Sequence, residues 1–411
     1  TLSLHDALPI SRNREPVRIV LLTQVLPLPL DAGPKTRAYF VLRYLAGAGH
    51  EVTLVSFVRS DDRASDVQRL RDVCAAVETV PLVRSRLADV GYGAQSLVST
   101  TPFLILRDRS SAMEACLRRV TAGRAFDAVH ADQLWMAPYA ERCQGVPLRV
   151  LDQHNAVFKV PQRMAANQRN PVLRALLRRE ASKLEAFERA TFETFDRIVW
   201  VSEDDRRAFP PHDRQTRAGH EIIPIAVDPG ERRPLRRPRP HRVTFLGGTH
   251  WPPNAEGVRW FADHVWPTVA AAVPGAVFTV IGKGPLGPLG PAAYRSRVDV
   301  TGYLPDVESR LAETAAFIVP LKTGAGMRVK ILDAWCWALP IVSTSIGAEG
   351  IRTEAGANIL LADEADAFAN SVIGVLTDPS LAKRLADNGR ATVETLYDWR
   401  VVYQAWDRVY A

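Results

Sequence analysis

The sequence has little cysteine and no long hydrophobic run, and both features narrow what the protein can be. Four cysteines occur among 411 residues, and none of their spacings is that of a CxxC pair or a metal site. We therefore expect reduced thiols in a cytosolic protein, not a disulfide scaffold or a zinc domain. Prolines cut every apolar stretch well below the roughly 20 residues that a membrane helix needs.

Two nucleotide-binding motifs are absent or incomplete. There is no GxxxxGK[ST] phosphate loop. The run GKGPLG, residues 282–287, fits GxGxxG after a predicted strand, but that fingerprint requires a helix directly after its glycines. Pro285, Pro288 and Pro291 follow instead, and interior prolines break helices. Nicotinamide or flavin binding is therefore disfavoured, although the glycines still allow backbone to lie against a ligand.

The charge balance is basic, with a formal net charge of +7 and an isoelectric point of about 9.4. An anionic partner would suit it: nucleic acid, acidic lipid headgroups or a phosphorylated substrate. An arginine-rich composition without specific meaning explains it equally well. Nucleic acid is disfavoured, because the basic stretches at 169–180 and 231–242 lack interleaved aromatic residues.

The first eleven residues, TLSLHDALPIS, have none of the three regions of a signal peptide. We interpret residues 1–11 as a non-native leader and exclude them from the fold.

Strand and helix patterns alternate along the rest of the chain. Helices are expected over AYFVLRYLAGAG (38–49), over 170–195, over 255–273 and from about Met327. The run EDD (203–205) is interpreted as a solvated helix N-terminus, where acids are favourable.

An apolar strand, a glycine-containing loop, a helix and a second strand open this part of the chain, which predicts a βαβ unit and a parallel sheet. The expected strands are VRIVLLTQV, HEVTLVSF, FDAVHADQ, LRVLDQHN, DRIVWVS and EIIPIAVDP, then RVTFLGG, AVFTVIG, VDVTGYL, AAFIVPL and PIVSTSIG. The fold class is therefore α/β, with two Rossmann-like parallel-sheet domains.

The domain bounds follow from the Pro-rich basic stretch, which we interpret as a solvated linker over 229–241. The N-terminal domain covers 12–228 and the C-terminal domain 242–395. An aromatic-rich helix over 396–411 is expected to pack back toward the N-terminal domain. His130 and His154 stand at the ends of predicted strands, where open parallel sheets bind ligands; for His130 a structural role is favoured.

The segment KTGAGMRVKILDAW combines a glycine loop with the start of a helix. Free N–H groups at a helix start attract phosphate, and Gly324 and Gly326 leave room for it. Arg328 and Lys330 add positive charge. The alternative is an ordinary helical ion pair between Lys330 and Asp333, which stand three residues apart on one face.

This segment, extended to GAGMRVKILDAWCWALPIVSTSIGAEGI, resembles the donor-binding segment of the retaining glycosyltransferases of group 1, or family 4. The similarity continues through RIVLLTQVLPLPLDAGPKTRAYFVLRYLAGAGHEVTLVSF, RVLDQHN, FDRIVWVSEDDRRAF, IIPIAVDP and VTFLGGTHWPPNAEGVRWF, and covers Val17–Ala411. It implies the GT-B fold, in which two Rossmann-like domains face each other across a cleft.

The resemblance also implies site residues. His154 stands where the family has a histidine near the sugar and its anomeric carbon, and Arg328 and Lys330 would neutralise the diphosphate. The implied donor-binding positions are Gly33, Gly247, Gly248, Gly282, Gly284, Tyr303, Gly324, Ala325, Gly326, Met327 and Asp333.

Two positions depart from the family pattern. The first Glu of the family's E-x7-E pair falls at Ala325, and Asp333 replaces the second, which binds ribose. The basic pair that usually follows the first strand of the second domain is replaced by THWPPN. We infer that Arg328 and Lys330 substitute for that pair.

The implied activity is transfer of a sugar from a UDP-, GDP- or ADP-sugar to a hydroxyl of a glycan or lipid-linked glycan. The resemblance implies retention of configuration, and we expect neither a metal nor a further cofactor. Polysaccharide biosynthesis for the cell envelope is the expected context, in the cytoplasm or peripherally on the inner face of the membrane. A nucleotide-sugar epimerase of the same architecture is the alternative.

Overall fold

The computed structural model describes residues 15–209, 218–235 and 241–411. The chain divides into two compact units, one formed by Thr1–Ala226 with Trp399–Ala411 and one by Val227–Asp398. The expected leader lies outside the described residues, as does part of the expected linker, 236–240.

The first unit is built on a seven-stranded parallel sheet with the order β3-β2-β1-β4-β5-β6-β7. Its interior strand β1 reads RIVLLT and is buried from Ile19 onward, as expected for a strand covered on both faces. The strands are β1 Arg18–Thr23, β2 Glu51–Val58, β3 Ala76–Pro81, β4 Ala128–Asp132, β5 Leu148–Gln153, β6 Arg197–Trp200 and β7 Gly219–Ile222.

Helices connect these strands. They are α1 Gly33–Gly47, α2 Ala64–Arg71, α3 Arg86–Val98, α4 Phe103–Arg107, α5 Ser111–Thr121, α6 Ala137–Ala140, α7 Lys159–Asn167, α8 Pro171–Phe192 and α9 Glu203–Arg206, with a 3₁₀ turn at Leu134–Met136.

The second unit is built on a six-stranded parallel sheet with the order β10-β9-β8-β11-β12-β13. Its strands are β8 Arg242–Leu246, β9 Val277–Ile281, β10 Val298–Gly302, β11 Ala316–Val319, β12 Ile341–Ser343 and β13 Leu360–Leu361. Its helices are α10 Pro252–Trp260, α11 Trp266–Ala272, α12 Glu308–Leu311, α13 Val329–Cys336, α14 Ala365–Thr377 and α15 Pro379–Leu396, with 3₁₀ turns at Ala292–Arg297 and Ile346–Ala348.

Both sheets confirm the predicted fold class. Ten of the eleven expected strands are present, and the structure adds β3 and β13. The strand expected at EIIPIAVDP overlaps β7 only at Glu221–Ile222, because β7 ends two residues before Pro224. In each sheet the strand order reverses direction beside the first strand, between β1 and β4 in one unit and between β8 and β11 in the other. Ligands of open parallel sheets bind at such reversals, outside the carboxyl ends of the strands.

Three helix predictions needed correction, and each has a physical reason. Helix α1 begins at Gly33, not near residue 38, because Pro34 in its first turn already has a helical φ. The single helix expected over 255–273 is split by a π-helical turn, Phe261–Val265. Pro267 lacks an N–H and its ring would clash with a carbonyl one turn back, so the hydrogen-bond register shifts before it.

The third correction concerns the C-terminal segment, which is not one helix. It forms α16 Trp399–Val402, a 3₁₀ turn Tyr403–Ala405 and α17 Trp406–Val409. Residues three apart superpose in a 3₁₀ turn, and Tyr403 and Trp406 both lie over Arg37, whose guanidinium carbon is 5.1 and 5.0 Å from their ring centroids. This aromatic cover belongs to the first unit.

Two helix glycines in the second unit provide a matched test of packing. A Cβ at Gly389 in α15 would lie 2.2 Å from Cδ1 of the buried Trp335, whereas at Gly374 in α14 its nearest neighbour is a Leu381 methyl at 3.6 Å. We expect Gly389→Ala to lower the free energy of unfolding by about 1–3 kcal/mol, because the added methyl group overpacks the core. Gly374→Ala should leave the free energy of unfolding unchanged or raise it by about 0.5–1 kcal/mol, because alanine has the higher helix propensity. Urea unfolding of both variants checks this, and equal midpoints would contradict it.

Candidate functional site

The carboxyl ends of neighbouring strands in the second unit are tied together by backbone hydrogen bonds. The N–H of Gly247, directly after β8, donates to Ile281 O at 2.8 Å, and the N–H of Gly282, directly after β9, donates to Gly302 O at 2.9 Å. Thr249 N–H donates to Lys283 O at 2.9 Å. The predicted residues Gly247, Gly248, Gly282 and Gly284 therefore form one continuous edge beside the strand-order reversal.

These glycines are required by close packing. A Cβ at Gly282 would lie 2.1 Å from Gly247 O, and one at Gly284 would lie 2.4 Å from His250 N. A Cβ at Gly247 would lie 2.6 Å from Lys330 Nζ. The sequence analysis explained the glycines by ligand approach alone, and the structure adds that the loops need them to reach each other.

The loop after β11 carries the opening of α13. Arg328 is the N-cap residue of that helix, which begins at Val329 and not at Met327 as expected. Its Nη1 donates to Ala325 O at 2.5 Å and to Gly326 O at 2.6 Å, so the guanidinium folds over its own loop. A Cβ at Gly324 would lie 2.7 Å from Nη2 of Arg328. This glycine therefore makes room for the arginine.

Lys330 lies in the first turn of α13, and its side chain is partly buried. Its Nζ donates to Asn254 Oδ1 at 3.0 Å and lies 4.2 Å from the centroid of the Phe245 ring. Burial and the neighbouring Arg328 charge lower the pKa of Lys330 to about 7, against the opposing effect of Asp333. The amine is thus partly uncharged near neutral pH, and an anion beside it would favour its charged form.

Asp333, the predicted ribose ligand, has a protein partner that the sequence did not suggest. Its carboxylate pairs with Arg232, whose guanidinium carbon lies 4.9 Å from the centroid of the Trp337 ring. Lys330 and Asp333 therefore bind Asn254 and Arg232, and the helical Lys330–Asp333 pair is not what holds either side chain. A ribose would share the carboxylate with Arg232 or displace it.

The described part of the expected linker is only partly solvated: Gly230, Glu231, Arg233 and Pro234 are exposed, whereas backbone groups beside them bind the second unit. Arg390 of α15 donates to the carbonyls of Pro229 and Arg232, at 2.9 and 2.8 Å. The N–H of Leu235 donates to Trp337 O at 3.0 Å. Pro229–Leu235 thus lies against the second unit, because its backbone replaces water as the partner of a helix arginine and a helix C-terminus.

The other predicted donor residues occupy unremarkable positions. Tyr303 follows β10 and is about half exposed, and Met327 is buried in the loop after β11. Gly248 accepts a hydrogen bond from Asn254 Nδ2 at 2.8 Å. Gly33 is the first residue of α1 and, like His154, belongs to the first unit.

In the first unit, a network of buried charges surrounds the carboxyl ends of β4 and β5. Arg37 donates to both oxygens of Asp152, at 2.8 and 3.0 Å, and both side chains are fully buried. His154 Nε2 lies 2.9 Å from Asp132 Oδ1, without the alignment of a hydrogen bond, and 3.7 Å from Asp152 Oδ2. Four charged or ionisable side chains thus meet beside the strand-order reversal of this sheet.

The protonation state of His154 follows from this network. Burial lowers the pKa of His154, but the Asp132 and Asp152 carboxylates outweigh it and raise it to about 9. Burial likewise opposes ionisation of Asp152, and Arg37 holds the pKa of that carboxyl well below its usual range. His154 is therefore an imidazolium at neutral pH. Its Nδ1 is buried and has no hydrogen-bond partner among the described residues.

Asp132, Asp152 and His154 are close enough to be considered as metal ligands, since one oxygen or nitrogen of each lies within 4.8 Å of the others. Their chemistry does not fit a divalent ion well. Both oxygens of Asp152 already accept from Arg37, and a ligating histidine must be neutral. The arrangement fits an internal ion-pair network better.

His130 lies in the same region but faces the C-terminal aromatic residues. Its Nδ1 lies 2.6 Å from the Tyr410 hydroxyl, and its ring packs 5.2 Å from that of Trp406. Its full burial favours the structural role expected for it.

The loop that carries His154 is held by two acids. Glu188 accepts from the N–H groups of Val157 and Phe158, at 2.8 and 3.1 Å, and burial raises its pKa to about 8. Asp205 accepts from Ala156 N–H at 3.0 Å and is buried. The expectation that the EDD cluster is solvated is therefore wrong for Asp205. No pattern in the sequence indicated that Glu188 holds this loop.

The imidazolium at His154 predicts a pH dependence of stability. A histidine whose folded pKa is raised from 6.5 to about 9 stabilises the fold fully below pH 6.5, and this contribution is lost as pH rises through 9. The effect is on the order of 3 kcal/mol at most. Unfolding free energies of the wild type and His154→Gln, measured from pH 6 to 10, should converge at the alkaline end. A constant difference would show that His154 is neutral.

Comparisons with known proteins agree with this geometry. Residues 240–378, roughly a third of the chain, match the family model "Glycosyl transferases group 1". A Klebsiella pneumoniae protein described as "Uncharacterized 44.6 kDa protein in cps region" is 22% identical over 419 residues, covering 94% of this chain and 98% of that protein.

Two solved structures share the fold over nearly the whole chain. Anabaena Alr3699/HepE, solved with UDP and glucose, has 11% identity and a TM-score of 0.64, covering 95% of this chain and 98% of its own. WaaG, a glycosyltransferase involved in lipopolysaccharide biosynthesis, has 14% identity and a TM-score of 0.59, covering 95% and 99%. The two-domain fold is thus that of GT-B glycosyltransferases. These matches support a glycosyltransferase and lend no support to the epimerase alternative.

Proposed function

We propose that the protein transfers a sugar from a nucleoside-diphosphate sugar to a hydroxyl of a glycan or lipid-linked glycan, with retention of configuration. The observation that carries the proposal is the convergence, at the strand-order reversal of the second unit, of glycine-rich strand ends with Arg328, Lys330 and the start of α13. The Anabaena structure with UDP and the WaaG fold support the same substrate class.

The proposed chemistry centres on the leaving diphosphate. As the glycosidic bond breaks, negative charge grows on the diphosphate oxygens, and preorganised donors lower the barrier by stabilising it. Lys330, Arg328 and the first free N–H groups of α13 would supply these donors. We propose that this cationic site makes a metal unnecessary.

Lys330 would act as more than a fixed charge. With a pKa of about 7, held down chiefly by burial, the amine exchanges its proton easily near neutral pH. A diphosphate placed beside it would raise this pKa, so nucleotide binding would bring a proton into the site.

His154 is proposed to contact the sugar as a cation. A protonated imidazole donates hydrogen bonds and cannot accept a proton, so His154 would orient a donor-sugar oxygen and not act as a general base. The buried Nδ1, which has no hydrogen-bond partner among residues 15–209, 218–235 and 241–411, is the atom available for this contact, since buried polar groups are nearly always satisfied.

We propose that the reaction takes place in the cytoplasm and contributes to a cell-envelope polysaccharide. The Klebsiella relative in a cps region and WaaG are consistent with that setting. Among the described residues, the structure has no helix long and apolar enough to cross a membrane.

The diphosphate assignment predicts that Lys330→Ala and Arg328→Ala each lower turnover by about 10²–10³, the typical effect of removing one such donor. Lys322→Ala is the matched control, because this lysine of the same loop donates to Asp363 O and covers the Trp260 ring. Asp333→Asn should mainly weaken nucleotide affinity. Radiolabelled sugar transfer and circular dichroism measure activity and folding; full turnover in both cation variants would disprove the assignment.

Proton uptake gives a second test that needs no acceptor. A thermal-shift screen of UDP, GDP and ADP first identifies the nucleotide that stabilises the protein most. Calorimetric titration with that nucleotide at pH 8, in buffers of different ionisation enthalpy, should show uptake approaching one proton per nucleotide bound. Lys330→Met should abolish the uptake, and Lys322→Met should not. Binding without uptake by the wild type would mean that Lys330 does not meet the diphosphate.

A further inference from the structure

Helix α3 of the first unit exposes an apolar face that none of the described residues covers. Leu87, Val90 and Val98 are 86%, 73% and 87% exposed, and Leu97 is 52% exposed. Only Ser96 of this helix is buried. The four apolar residues recur at spacings of three, seven and one, so they lie along one broad side of the helix.

The N-terminal half of α8 extends this face. Val172, Leu173 and Leu176 are exposed, although the two leucines recur at the helical spacing that indicates an amphipathic helix. The two helices touch, because Arg179 Nη2 donates to Leu97 O at 2.7 Å and Lys183 Nζ donates to Ser96 O at 2.6 Å. The seven exposed apolar residues of α3 and α8 are called here the apolar ridge.

Basic residues border the apolar ridge. Arg86 precedes Leu87, and Arg169, Arg178 and Arg179 lie on or beside the exposed end of α8. The acids nearby are fewer: Asp89 is half-buried, and Glu180 accepts from Phe103 N–H at 2.8 Å. The border of the ridge is therefore cationic.

A cavity of about 190 Å³ opens beside the start of α3. Arg84, Arg107 and Arg109 line it, and Asp108 pairs with Arg84 and Arg107, at 2.8 and 3.2 Å. Burial, with the charge of Arg107, lowers the pKa of Arg84 despite Asp108. The three guanidinium groups outnumber the two carboxylates, Asp108 and the cavity-lining Asp89, so net positive charge remains, which an anion would neutralise.

We propose that the first unit docks on an anionic lipid bilayer through the apolar ridge, with a lipid phosphate in the cavity lined by Arg84, Arg107 and Arg109. An amphipathic helix with apolar residues on one side and arginines at its border lies in the lipid interface in this way. Each basic residue close to anionic headgroups increases the affinity of the protein for the membrane by roughly fivefold.

The composition of the surface favours lipid over other partners. The ridge is aliphatic, without the aromatic side chains on which nucleic-acid bases stack. It combines a large exposed apolar area with one sign of charge, so a second copy of the same face would bring like charges together. A bilayer accepts the apolar side chains and supplies the opposite charge.

Vesicle co-sedimentation of the full chain tests the proposal without nucleotide or acceptor, so it is independent of the transfer reaction. The wild type should bind vesicles of phosphatidylcholine with phosphatidylglycerol and not vesicles of phosphatidylcholine alone. Leu87→Glu with Val90→Glu should weaken binding at least tenfold. Arg84→Ala with Arg109→Ala should weaken it and reduce its salt dependence.

Val300→Glu is the matched control, because Val300 is a half-exposed apolar residue of the second unit. This variant should bind vesicles as the wild type does, and the ridge variant should keep wild-type nucleotide stabilisation in the thermal-shift assay. Equal vesicle binding by ridge variant and wild type would overturn the proposal. So would a wild-type dimer that the ridge substitutions dissociate while no vesicles are bound.

Discussion

Both units depend on one constraint of parallel sheets. Where the strand order reverses, the chain leaves two adjacent strands in opposite directions, and no connecting helix covers the carboxyl ends between them. Backbone groups and polar side chains there must find partners locally or in a ligand. The pair β1 and β4 and the pair β8 and β11 create this situation once in each unit.

The two units satisfy this constraint with opposite electrostatics. In the first, Arg37 holds the pKa of Asp152 low, and the carboxylates beside His154 raise the pKa of its imidazole, so opposite charges stabilise each other inside the protein. In the second, burial and the Arg328 charge outweigh the effect of Asp333 on Lys330, so the pKa of its amine falls to about 7. The first network can persist without a ligand, whereas the second favours an anion. The same sheet topology thus holds a self-paired charge network in the first unit and an anion-favouring cationic site in the second.

Much of the fold could be predicted from the sequence because parallel strands that are buried on both faces have continuous apolar sequences. The strand β1 is an example, and β13, with only two residues, is too short to show such a run. Candidate site positions near glycine loops could also be predicted, since Gly247, Gly282 and Gly324 each stand in a loop that follows an apolar strand. Partners distant in the chain could not: Arg232 and Asp333, like Glu188 and the loop after β5, meet only through packing.

Solvent exposure was the weakest inference. Leu173 and Leu176 have helical spacing and still face outward, because spacing defines a face but not what the face meets. The Pro-rich arginine stretch shows the opposite error, since composition alone suggested water where Pro229 and Arg232 accept hydrogen bonds from Arg390.

The ends of the second unit meet each other. Val227 N–H donates to Tyr397 O at 2.9 Å, and Val227 pairs with Asp398 in an isolated bridge. The first unit resumes at Trp399, so 227–398 is an inserted module with adjacent termini. A chimera that exchanges this block between homologues would carry Arg232 along with Asp333. One that joins the parts within the Pro-rich stretch would separate them and leave the partly buried carboxylate of Asp333 without Arg232.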